Sequence, residues 1–272
     1  MVEETIQDKM IGKHPTDDNI FSDWLVCKDL DCTETKIHRS LTEKADYREQ
    51  SVEEISNWLV SHHLSNRKRD LLKKKKEILE KYDFKEYANN LHILPQTDKT
   101  KKGNIGEVIL AEYLHISSGI DTLIYRLRYN PNVDQSMKGD DVLLIGEKDI
   151  LLGESKFRTT AGKSVVEEIS NNFGKALKLP ISLSFVADRL YEDGKYDLSD
   201  KITEIESILS KGKIDIQNVG FILSDPSAHR AVENHMNSHN KNFIMITLNI
   251  DDPKDLLDKS FEKANEKIKG DF

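Results

Sequence analysis

Only two cysteines, Cys27 and Cys32, occur among 272 residues, so no disulfide framework organises the chain and a reducing compartment is expected. Long apolar runs are also missing. The longest, such as Val142 to Ile145 and Ile150 to Leu152, fall far short of the ~20 residues that a membrane span needs. Met1 to Asp8 carry acids where a secretory signal would carry bases and then an apolar stretch, which points to a cytoplasmic protein. With 6 Pro and 13 Gly the chain is neither collagen-like nor of low complexity. No glycine-rich loop followed by Lys-Ser/Thr is present, which argues against ATP hydrolysis by this chain alone. A Ser/His/Asp nucleophile signature is likewise absent. His229, His235 and His239 lie on one predicted helix, but no cysteine or carboxylate accompanies them at zinc-site spacing.

What is present is a globular composition, 37% hydrophobic and 32% charged, in a length that suits one large domain or two small ones. The net charge of −8 is unevenly spread. Residues 1–60 carry 7 bases against 14 acids, residues 61–102 carry 12 against 6, and residues 103–272 carry 21 against 28. A protein that coats DNA electrostatically is usually basic throughout. Here only the middle segment, with Arg67-Lys68-Arg69 and Lys73 to Lys76, offers a basic contact for nucleic acid, and a solvated helix face explains it equally.

The first 50 residues hold one clear strand, at Trp24-Leu25-Val26. Ser51-Val52-Glu53-Glu54 has the pattern of a capping box, opening a helix with Ile55, Trp58 and Leu59 as its apolar stripe. A longer helix is expected from Asn66 to Asn90. The polar stretch Gln96 to Gly103 marks a boundary, giving a partly helical N-terminal region (1–100), a possible contact for partner or DNA, and a second domain (101–272). Beyond it the pattern predicts a helix over Ile105–His115, strands at Leu123–Tyr129, Asp141–Ile145 and Ile150–Phe157, and a helix from Ser164, capped through Glu167, to Lys178. Strands at Ile181–Ala187, Val219–Leu223 and Phe243–Ile250 alternate with helices near 200–211, 226–238 and 254–268. This alternation predicts an α/β fold, a mixed sheet flanked by helices.

The hairpin is the most informative element. A two-residue turn at Glu147-Lys148 makes paired residue numbers sum to 295, so Leu143 faces Leu152 and Asp141 faces Glu154. Side chains alternate between faces, which puts Asp141, Glu154 and Lys156 on one face and Asp140 on the other, unless a bulge reverses the parity. Directly opposed carboxylates have Cβ atoms about 4.5–5.5 Å apart and repel. A divalent cation between them removes the conflict, because Mg²⁺ takes one or two carboxylates together with phosphate oxygens and water. Such an ion polarises a phosphodiester and acidifies bound water, and Lys156 beside it could position or deprotonate that water or stabilise charge on the phosphate.

Gly139-Asp140-Asp141-Val142-Leu143-Leu144 together with Glu154-Ser155-Lys156 resembles the PD-(D/E)xK nuclease signature without its proline. Gly103-Asn104-Ile105-Gly106-Glu107 is similar to that superfamily's first core helix. More narrowly, these residues with Tyr125-Arg126-Leu127-Arg128 and Gly153 to Arg158 resemble the HamA/AbpA family of antiphage nuclease subunits, over residues 103–185. The resemblance implies a restriction-endonuclease-like core. It implies Asp141 and Glu154 as metal ligands, Lys156 as the catalytic lysine and Glu107 as a further catalytic and metal-binding carboxylate. Asn104 and Glu107 also match a capping box, which would explain the glutamate without a metal. Arg126, Arg128 and Arg158 are candidate substrate contacts, since guanidinium geometry matches phosphate oxygens.

The expected activity is Mg²⁺-dependent DNA cleavage, with Mn²⁺ as a substitute ion and little sequence preference. The resemblance implies an antiphage effector working with a helicase subunit (HamB-like). Two other readings fit the same residues: a catalytically silent module of this fold that recruits helicase or DNA, and a stand-alone restriction or repair nuclease.

Overall fold

The computed structural model describes residues 4–16, 18–84, 92–209 and 214–270. Six strands form one mixed sheet in the order β1-β2-β6-β5-β4-β3. They are β1 (Leu25–Asp29), β2 (His38–Glu43), β3 (Val142–Ile145), β4 (Asp149–Phe157), β5 (Asp215–Ser224) and β6 (Phe243–Asn249). The two edge pairs, β1–β2 and β3–β4, are antiparallel, and the junctions between them are parallel. The central strands β5 and β6 are buried along almost their whole length, as parallel strands covered on both faces must be.

The helices are α1 (Ile6–Ile11), α2 (Ile20–Trp24), α3 (Arg48–His63), α4 (Asn66–Lys81), α5 (Asp98–Ser118), α6 (Lys163–Phe173), α7 (Leu183–Glu192), α8 (Tyr196–Leu209), α9 (Ser227–His235) and α10 (Pro253–Gly270). One face of the sheet carries the largest core, where Ile55 and Leu59 of α3, Val108 and Leu110 of α5, and Leu257 and Phe261 of α10 meet Phe221 and Ile246. The other face packs α6 and α9 through Val166, Ile169 and Val232 against Ile222 and Met245. A third cluster seats α7 and α8 against the turn end of the β3–β4 hairpin. None of the described helices is long and apolar enough to cross a membrane.

The expected α/β architecture is present, with particular elements displaced. Gln96 to Gly103, the expected boundary, leads into α5, which Thr97 caps through the Thr100 N–H. Residues before it supply two strands of the common sheet. Buried Arg39 on β2 ties this part together, bonding Asp29, Asp8 and the Gly12 carbonyl. α3 begins at Arg48, and Ser51 donates to the Arg48 carbonyl instead of capping. α4 ends at Lys81, and positions 85–90 of that expected helix lie outside the described residues.

Leu123–Tyr129 is not a strand. Its backbone closes local bonds, Arg128 N–H to the Tyr125 carbonyl and Asn130 N–H to that of Leu127, forming a 3₁₀ turn over Arg126–Tyr129. Ile181–Ala187 is not a strand either. Leu183, Val186, Ala187 and Leu190 are buried at helical spacing on α7, while Ile181 is 72% exposed. α6 starts at Lys163 behind Gly162, which offers no side-chain cap, so the expected Ser164–Glu167 box is not formed, and the helix stops at Phe173.

Candidate active site

The hairpin register is the expected one. Val142 pairs with Gly153, Leu143 with Leu152 and Ile145 with Ile150, and Gly146 N–H closes the turn on the Asp149 carbonyl. Asp141, one residue before the ladder, accepts from the Ser155 N–H at 3.1 Å, which fixes its carboxylate beside Glu154. Asp140 faces away. Its carboxylate accepts from the Ile181 and Ser182 N–H groups, both at 2.9 Å, and so caps α7. Asp140→Ala is therefore expected to lower stability by ~1–3 kcal/mol, the cost of losing a buried cap, read as a shift in urea midpoint. An unchanged midpoint would contradict this assignment.

α5 brings the third carboxylate. Helix and strand approach closely at Gly106, where an added Cβ would stand 2.9 Å from the Ser155 Oγ, and the next residue is Glu107. Asn104 lies inside α5 and donates its amide to His63, so the capping-box explanation of Glu107 does not hold. Glu107 instead accepts from Arg126 Nη2 at 2.8 Å, and the same nitrogen lies 3.9 Å from Asp141 Oδ1. Burial pushes the Glu107 carboxyl up to about 7, against the opposing pull of Arg126. Burial likewise raises the Asp141 carboxyl. These groups line a cavity of about 50 Å³ with Asp140, Ser182 and Thr122.

Two side chains absent from the sequence reading complete the other flank. Asn172 on α6 donates to both oxygens of Glu154, at 3.0 and 2.7 Å. Glu168, one turn earlier, accepts Lys156 at 3.0 Å and Arg158 at 2.9 Å. Lys156 also meets Glu154 at 3.0 Å. Burial alone would lower the Lys156 pKa, but its bonds to Glu168 and Glu154 outweigh this and hold it above the ordinary lysine value. The i, i+4 spacing of Glu168 and Asn172, opposite the apolar face of α6, is the signal that could have revealed them.

Among the described residues no group of three or more His, Cys, Asp and Glu is gathered to hold a metal ion. Asp141 and Glu154 stand together with Lys156, and Glu107 joins them through Arg126. Arg158 lies at the rim, paired to Glu168. Arg128 is directed elsewhere: it stacks on Tyr125 with its guanidinium 4.2 Å from the ring centroid and donates Nε–H to the Ser61 carbonyl. His229 packs on His38, and His239 lies beyond the end of α9, so the three histidines share no helix face.

Comparison with known proteins covers nearly the whole chain. The family model described as HamA matches residues 18–264, which takes in β1, β2 and the first part of α10 as well as the hairpin. A relative named Hachiman protein HamA, from Bacillus cereus, is 47% identical over 264 residues, covering 97% of each chain. A match of this length and identity shows that the chain belongs to the HamA family.

Proposed function

We propose that this chain is a metal-dependent deoxyribonuclease that serves as the effector of a Hachiman antiphage defence system. The observation that carries the reading is the placement of Asp141, Glu154 and Lys156 on one face of the hairpin with Glu107 reached through Arg126. The donor set suits a hard divalent cation, being all carboxylate oxygen. Burial disfavours the charged forms of Asp141 and Glu107, and a divalent ion beside them would favour those forms. Asp141 and Glu154 would hold Mg²⁺ or Mn²⁺, with Glu107 as the additional ligand. The ion would supply Lewis-acid polarisation of the phosphodiester and an acidified water.

The chain's own residues do the rest. Ser155 N–H and the Asn172 amide orient the two hairpin carboxylates, so that their geometry is set before substrate arrives. Lys156, held as an ammonium by Glu154 and Glu168, stabilises negative charge developing on the phosphate. Arg126 and Arg158 are the candidate phosphate contacts nearest these groups. Arg128 is too far committed to Tyr125 and Ser61 to serve at the same phosphate, and contacts a more distant part of the strand if it contacts DNA. With no glycine-rich nucleotide loop in the chain, ATP-driven control belongs to a helicase partner, HamB-like.

The test is degradation of plasmid and linear DNA by the purified chain with Mg²⁺, with Mn²⁺ and with EDTA, each also with the helicase subunit added. Cutting that needs metal and stops with EDTA is the expected result. No cutting in any metal, with or without the partner, would favour the silent binding module. Cutting confined to one short motif without the partner would favour a stand-alone restriction enzyme.

A further inference from the structure

Arg126 is held in an unusual way. Its side chain is only 12% exposed, yet among the described residues its one short polar contact is Nη2 to Glu107. Nε and Nη1 are buried without a hydrogen-bond partner. A guanidinium carries five N–H donors, and burying it this poorly satisfied is costly. Stability does not explain such a residue, so its place must.

That place lies between the helix carboxylate and the hairpin carboxylate, with Nη2 at 2.8 Å from Glu107 and 3.9 Å from Asp141. This is the interval that a divalent ion shared by Glu107 and Asp141 would have to take. On the other flank Lys156 lies on Glu154 and Glu168. Each expected ligand is thus already matched with an internal cation, which explains why the carboxylates are not gathered as a ready metal cluster. The two flanks differ in kind. Lys156 has two carboxylates at 3.0 Å, whereas Arg126 has one good contact and an orphaned remainder. Arg126 is the weaker occupant.

We propose that Arg126 is a positioning residue that competes with the divalent cation for Glu107 and Asp141, holding the site closed until metal displaces it and frees its guanidinium for the substrate phosphate. The inference rests on the metal-dependent reading above. It makes metal and phosphodiester mutually favourable, because each stabilises the arrangement in which Arg126 has left the carboxylates. Little metal is then held without DNA.

Calorimetric titration of Mn²⁺ into the full chain, without nucleic acid, tests this apart from activity. Arg126→Met is expected to bind Mn²⁺ at least about tenfold more tightly than the natural chain, the scale of one lost charge-assisted competitor. Asp141→Asn should abolish binding. Lys254→Met, which removes an exposed cation paired to Asp258 on α10, should leave affinity within about twofold, separating competition from a general loss of positive charge. Binding by Arg126→Met that is equal to or weaker than that of the natural chain, with Asp141→Asn still inactive in binding, overturns the proposal and leaves the metal site standing. No Mn²⁺ binding by either chain overturns both. If circular dichroism shows Arg126→Met unfolded, Arg126→Gln, which keeps an amide donor for Glu107, is read by the same criteria.

Discussion

Replacing Lys156 by methionine is expected to lower metal-dependent DNA cleavage by about a thousandfold, and Glu154→Ala by at least as much, the scale of losing a charge-stabilising or acid–base group. The structure explains why neither loss can be shared by neighbours. Lys156 is the ammonium between Glu154 and Glu168, and Arg158, the next cation, is tied to the far side of Glu168. Glu154 is fixed by Asn172 through both oxygens, so an alanine there leaves no second carboxylate on β4 opposite Asp141. Single-turnover cleavage of a labelled duplex measures both effects. DNA binding should survive both changes, because neither residue closes a core. Retention of more than about a tenth of the natural rate by either variant would remove that residue from the chemistry.

Asn172→Ala separates orientation from chemistry. It leaves Glu154 in place but frees its rotation, so it should cost less than Glu154→Ala itself.

The site was legible where its geometry is local. Alternation along two short apolar runs and a turn between them specify register, which the structure keeps from Val142–Gly153 to Ile145–Ile150, with Asp141 just beyond the ladder on the Ser155 N–H. The same register puts Asp140 on the other face, where the structure finds it capping α7. That same cap explains a misreading. Ile181-Ser182-Leu183-Ser184-Phe185 alternates like a strand, but a carboxylate some forty residues earlier accepts the N–H groups at the helix start, and tertiary packing sets the period.

β2 was illegible for a related reason. His38, Arg39 and Ser40 are buried polar residues with no alternation. Each is satisfied from a distant element, by Glu233, by Asp8 and Asp29, and by Asn249 respectively. Arg126 poses the same problem at the site: its pairing with Glu107 depends on a turn replacing an expected strand. Single-sequence reasoning supplies residue types and local faces, whereas these positions are decided by partners that only the fold brings near.

Arg39→Met is expected to cost ~3–5 kcal/mol of unfolding free energy, because removing one partner of a buried ion pair leaves the other uncompensated. Arg39 is fully buried on β2 and donates Nε–H to Asp29 Oδ1 at 2.7 Å and Nη2–H to Asp29 Oδ2 at 2.9 Å. It also reaches Asp8 Oδ1 at 2.7 Å and the Gly12 carbonyl at 2.8 Å. Methionine fills part of the volume but strands two carboxylates and a carbonyl. Burial alone would raise the Asp29 pKa, but its bonds with Arg39 outweigh this and hold the carboxyl below its usual value. A folded pKa below the unfolded one stabilises above the unfolded value, ~3.9, and the contribution is lost as pH falls through the folded value. Acid should therefore take from the natural chain part of what the substitution takes at neutral pH, and Arg39→Met should show a shallower acid dependence. Urea unfolding followed by the fluorescence of the two buried tryptophans, Trp24 beside β1 and Trp58 on α3, reads both. A loss below about 1 kcal/mol would mean that the buried cation is offset by its own desolvation cost. A loss of the expected size would show that α1, β1 and β2 are integral to the sheet that carries the hairpin, so truncating the first hundred residues would unfold the candidate active site rather than release it.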